Sequence, residues 1–72
     1  MSVGDIVCAV APDGRQFQMR FDDYQNFNPS PFNIQRQFTA LEEIPGLTTA
    51  RSTTYEPTVL SRGFTVAEGE AP

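Results

Sequence analysis

Residues 3–21 read VGDIVCAVAPDGRQFQMRF: an apolar, β-branched run, a short break, and a run that alternates polar with apolar. The break decides the local fold. Pro12 presets φ for the first turn position, Asp13 suits the second, and Gly14 accepts the positive φ that follows. This is the chemistry of a three-residue hairpin loop closed by a bulge. It predicts antiparallel strands near residues 4–10 and 16–21, with Ala11 opposite Arg15. Ala9 then faces Phe17, Val7 faces Met19 and Asp5 faces Phe21. Val7, Ala9, Phe17, Met19 and Phe21 share one face, the expected core. The reverse face carries Ile6, Cys8 and Val10 against Gln16, Gln18 and Arg20. Such a half-apolar face usually packs under another strand, a loop or a second chain.

Downstream, residues 22–33 (DDYQNFNPSPFN) combine three aromatics, three asparagines and two prolines. The Pro-Ser-Pro spacing breaks regular structure and favours an extended path. Ser30-Pro31 then has the form of an N-cap followed by proline at the first helical position. Ile34, Phe38 and Leu41 follow at helical spacing until Pro45-Gly46, which predicts a helix over 31–43. The same stretch also fits a strand, because Phe32, Ile34, Phe38 and Ala40 alternate onto one face. Glu42 and Glu43 stand at the unfavourable end of such a helix's dipole.

From Leu47 the composition changes. Residues 47–62 hold five threonines and two serines among few large apolar groups. Tyr55 to Ser61 is expected as a strand, which Pro57 confines to an edge, and Phe64 to Val66 as a short second one. So few apolar side chains offset little of the entropy of ordering the backbone. The expected organisation is a small β-rich domain over 1–46 and an extended arm over 47–72, ordered by what it lies against. The fold class is small and mainly β: an N-terminal hairpin, one short helix or strand after a proline-rich loop, and the C-terminal arm.

A 72-residue chain buries only a modest fraction of its surface, so a single core is marginal without help. With one cysteine and no histidine, neither an internal disulfide nor a structural zinc site is open to it. Association with other chains is the remaining source of stability. Nine acids against five bases, all arginine, give a net charge of −4. That balance argues against non-specific binding to nucleic acid or an anionic membrane. The apolar stretch Ile6–Ala11 is too short for a signal peptide or a membrane span, and a soluble chain made in a cytoplasm is expected.

Catalytic chemistry finds few candidates. Without histidine or lysine, the usual general base and amine nucleophile are missing. Cys8 lies mid-strand with no imidazole to activate it and reads as a small buried hydrophobe. Asp22-Asp23 and Glu42-Glu43 are sequence neighbours whose side chains diverge in either regular structure, so neither pair forms a cation site unaided. No cofactor and no metal are expected. Arg15, Phe17, Arg20 and Phe21 resemble an arginine-aromatic strand, but the arginines fall on different faces. A DNA mimic needs carboxylates as dense as duplex phosphates, about one charge per 1.7 Å, and the acids here never exceed two in a row.

The aromatic-plus-asparagine composition of residues 24–32 is that of a binding loop. Tyr24, Asn26, Phe27, Asn28 and Phe32 are therefore the candidate contact residues, with Tyr55, Val59 and Phe64 contributed by the arm. The alternative for the loop is that its aromatics fold back over the hairpin. The expected function is non-enzymatic: a structural or assembly subunit that binds other protein chains, in the manner of a small virion component. A small acidic inhibitor that blocks a host or rival protein is the second reading.

Overall fold

The computed structural model describes residues 2–26 and 34–69. The N-terminal hairpin forms in the predicted register. β1 (Ile6–Val10) pairs antiparallel with β2 (Gln16–Asn26), setting Val7 opposite Met19 and Ala9 opposite Phe17. The Ala11 amide donates to the Arg15 carbonyl at 2.8 Å, the Gly14 amide donates to the Ala11 carbonyl at 2.9 Å, and Gly14 has φ +91°. Asp13 accepts from the Arg15 backbone amide at 3.0 Å and holds the turn from inside. Val7, Ala9, Met19 and Phe21 are buried, and Phe17 packs partly buried against them.

Strand β3 (Ile34–Ala40) stands where the helix over 31–43 was predicted, of which residues 31–33 lie outside the described residues. Spacing alone admitted both periods, and the tertiary partner decides between them. As a strand, the segment pairs along β2 and buries Phe38 and Ala40 on the core face. A helix would have left β2 unpaired beyond the first hairpin. The β2–β3 ladder is interrupted by a bulge between Phe21 and Asp23. Phe21 pairs with Phe38, yet Tyr24 pairs with Arg36, so the extra residue reverses the alternation. Tyr24 thereby joins the face of Phe21, and the two rings meet edge-on at 5.1 Å. Asp22 anchors the bulge on the reverse face. Its carboxylate accepts from the Thr39 hydroxyl at 2.5 Å, from Arg20 Nε at 2.9 Å and from Gln37 Nε2 at 3.3 Å.

The C-terminal third is not an extended arm in its described part, residues 47–69. β4 (Thr53–Tyr55) adds to β3, and β5 (Thr65–Glu68) adds to β1 at the opposite edge. The sheet order is β4-β3-β2-β1-β5, antiparallel throughout. Its two edge strands consequently run parallel to each other and need a crossover between them. Helix α1 (Glu56–Ser61) supplies it, in place of the strand expected over 55–61. Pro57, read as an edge-strand marker, instead occupies the first helical turn, where its missing amide is not needed. Leu47 and Thr48 belong to a small turn in which Ile44 and Thr48 exchange backbone hydrogen bonds at 2.9 and 3.0 Å.

Helix α1 ends in a tight C-terminal motif. The Phe64 amide donates to the Val59 carbonyl at 3.1 Å and the Gly63 amide to the Leu60 carbonyl at 3.0 Å, with Gly63 at φ +82°. This turn drives Val59 and Phe64 together into the core beside Ile44. The six residues of α1 span only ~9 Å, yet the helix touches β3, β4 and β5. In a flat sheet the edge strands would lie ~19 Å apart. The twist of the sheet must therefore curl it around the helix. Apolar side chains were too few for an independent arm, but they are enough to plug the concave side of a curled sheet.

Two predictions follow from this closure. Phe64→Ala should cost ~3–5 kcal/mol, comparable to the whole stability of so small a domain, and chemical denaturation measures it. A Phe64→Ala variant that unfolds at the wild-type denaturant concentration would show that residues 53–69 do not complete the core. At Gly63, an added Cβ would stand 2.9 Å from Pro12 Cγ in a backbone that side chains disfavour. Gly63→Ala should lose about 1–2 kcal/mol from the left-handed backbone alone, and more from displacing the Pro12 ring. Equal melting temperatures for the two proteins would refute that contact.

Candidate functional site

The strands alternate in direction along one axis, which divides the molecule into two ends. At one end lie the start of β1, the far part of β2, the start of β3, Glu56 and the end of β5. At the other lie the Pro12–Gly14 turn, the end of β3, residues 41–52 and Arg62. Among the described residues the first end carries Asp5, Asp22, Asp23, Glu56 and Glu68 against Arg20 and Arg36. The second balances Asp13, Glu42 and Glu43 with Arg15, Arg51 and Arg62. The acidity of the described part of the chain is therefore concentrated at one end.

That end also exposes apolar groups. Beyond Phe38 the core face of β3 continues through Arg36 to Ile34, and beyond Phe21 the same face of β2 continues through Tyr24. Tyr24 is 53% exposed and Ile34 54% exposed. Since Tyr24 pairs with Arg36, Ile34 is its diagonal neighbour, ~7–8 Å away across the ladder. The two form a small apolar surface where the core face runs out into solvent.

Arg36 sits between this surface and the core. Its guanidinium lies 5.5 Å from the centre of the Phe38 ring and donates to Glu56 Oε2 at 2.5 Å. The Arg36 hydrogen bond holds the Glu56 carboxyl below its ordinary pKa, against the opposing effect of partial burial. Glu68 also acts on Arg36 electrostatically, and its pairing with Val7 puts it on the core face. Glu56 and Glu68 thus rim the mouth of the concave face with Arg36 as the cation between them. Asp5 precedes β1, and its carboxylate accepts from the Ser2 backbone amide at 2.7 Å.

The expected contact residues scatter. Tyr24 lies in the exposed surface, and Asn26 pairs with Ile34 at the end of β2. Phe27, Asn28 and Phe32 fall outside the described residues. Tyr55 is half-buried at the end of β4. Val59 and Phe64 are buried at 0% and 3% exposure and serve the core, which corrects their placement in a contact surface. Ile34, Arg36 and Glu56 were not singled out from sequence. Only the alternation Ile34-Arg36-Phe38 hinted at the first two, and a pair 20 residues apart such as Arg36–Glu56 leaves no local signal.

Other chemistry-bearing groups lie apart from this surface. Cys8 is buried mid-strand on the reverse face, its Sγ 3.7 Å from Gln16 Oε1. A shallow depression of about 300 Å³ at the balanced end is lined by residues including Ile44, Leu47 and Arg62. Among the described residues no three His, Cys, Asp or Glu side chains converge as metal ligands, and no helix is long and apolar enough to cross a membrane.

Two carboxylates link this end of the molecule to pH. Partial burial opposes the charge on Asp22, but hydrogen bonds from Thr39, Arg20 and Gln37 outweigh it and hold its carboxyl below the ordinary value of 3.8. Glu56 is likewise held below 4.5. Depressed carboxylates contribute stability that is present above the unfolded pKa and lost as pH falls through the folded one. Urea denaturation from neutral pH downward should therefore show stability falling from about pH 4.5, and Glu56→Gln should flatten that fall. An unchanged pH slope in Glu56→Gln would remove the Arg36–Glu56 pair from the account.

In comparisons with known proteins, the chain matches no family model, no characterised protein and no solved structure.

Proposed function

We propose that this protein acts by binding other protein chains and not by catalysis, as a small subunit of a larger assembly of the kind found in virus particles. The observation that carries this reading is the Tyr24–Ile34 surface, an aromatic and an aliphatic side chain both more than half exposed on the continuation of the core face. Exposed apolar side chains grouped on a rigid ladder, with an arginine held beside them, are the composition of an interface centre. The bulge at Asp22 supports the same reading, since it re-aims β2 and brings Tyr24 to that face.

A second reading is a small inhibitor that docks on one target. It is favoured by the C-terminal elements, which complete the chain's own core and so reduce its need for neighbours to fold.

Gel filtration of extracts from the native source tests the proposal. The wild-type chain should elute in a species much larger than the free protein, and a Tyr24→Ala, Ile34→Ser double variant should elute free while retaining its circular dichroism. A wild-type chain that elutes free would overturn the protein-binding reading. A one-to-one complex with a single target would favour the inhibitor.

A further inference from the structure

We infer that the occupant of the Tyr24–Ile34 surface is a cationic segment of a partner protein, carrying aliphatic side chains between arginines or lysines. The inference rests on the protein-binding reading above and adds the chemistry of the partner. Three observations carry it. First, the apolar surface lies at the end of the molecule where, among the described residues, five carboxylates stand against two guanidiniums. Second, the charged groups on the same face as Tyr24 and Ile34 are themselves unbalanced: Glu56 and Glu68 both act on one arginine, Arg36. Third, Arg36 is already engaged by Glu56, whereas Glu68 forms no close ion pair among the described residues. An incoming cation therefore finds carboxylate to neutralise, and an incoming anion would meet repulsion at the rim.

An acidic rim around an apolar centre fits a basic amphipathic segment better than a neutral or acidic one. The rim charges steer the encounter, and the apolar contacts hold the segment once it has docked. A second copy of this chain is a poorer occupant, because its other end is balanced in charge and its first end would repel.

The test uses the full-length protein and two synthetic probes. One is a dodecapeptide of leucines flanked by arginines; the other has every arginine replaced by glutamate. Binding is followed by fluorescence anisotropy and by amide chemical shifts. The arginine probe should bind at low salt, shift the Tyr24, Ile34 and Glu68 amides, and weaken as salt is added; the glutamate probe should not bind. Ile34→Ser changes a side chain that is already mostly solvent-exposed, and it should weaken binding about tenfold. Glu68→Gln should weaken it about threefold. Glu43→Gln, the same charge change at the balanced end, should leave binding unaltered.

Equal losses from Glu43→Gln and Glu68→Gln, or full binding by Ile34→Ser, would mean general attraction of a polycation and overturn the inference. So would failure of the arginine probe to bind, or tighter binding of the glutamate probe. Either failure leaves the wild-type gel-filtration result standing, so the partner's chemistry and the protein-binding reading fail separately.

Discussion

The structure depends on one topological constraint: the two edge strands of the sheet run parallel, so the chain must cross from one edge to the other. Only a short helix and a tight turn are available for the crossing, residues 56–64. That shortness forces the sheet to curl, and the curl turns a half-covered sheet face into an enclosed core. Val59 and Phe64 sit where the crossing passes over the concave side, and their burial follows from the path of the chain. The same curl brings Glu56 and Glu68 within electrostatic reach of Arg36, although β3 and β5 are separated in the sheet by β2 and β1.

The first hairpin was legible because its turn is local. Pro12, Asp13 and Gly14 determine which residues oppose one another, and every side-chain direction up to Phe21 follows from that count. Past Phe21 the count fails, since the bulge inserts a residue that no turn signature announces. Residues 34–40 were ambiguous for a related reason. Ile34, Phe38 and Leu41 satisfy one period, while Ile34, Phe38 and Ala40 satisfy the other. The arbiter was the availability of β2 as a partner, a non-local fact. Pro57 shows the same limit from the opposite side: proline is acceptable on an edge strand and in a first helical turn, and its neighbours Glu56, Thr58 and Val59 do not distinguish them.

Of the candidate surface, Tyr24 was legible from composition and the rest was not. Arg36 and Glu56 meet through folding, and Ile34 reads equally well as a core residue. Val59 and Phe64 were misassigned because apolar groups in a threonine-rich stretch look isolated along the chain. In space they gather with Ile44 and Phe38, which the sequence places 15 or more residues away. The charge asymmetry was likewise hidden, since the acids are spread along the sequence from Asp5 to Glu70, and only the directions of the strands place five of the eight described ones at one end.

The pairing of β5 with β1 bears on how the chain reaches this state. The contact joins Val7 to Glu68, so nearly the full length of the described chain lies inside one closed loop. Contacts this distant in sequence bring their loop-closure cost before their reward, and chains dominated by them fold slowly for their size. During synthesis the first hairpin can pair as soon as it emerges, but the concave face holding Met19, Phe21 and Phe38 stays open until residues 59–68 arrive. For that interval the growing chain presents the same apolar surface that the finished fold encloses. A chaperone or an early-bound partner that covers it would act on the nascent protein and not on the mature one.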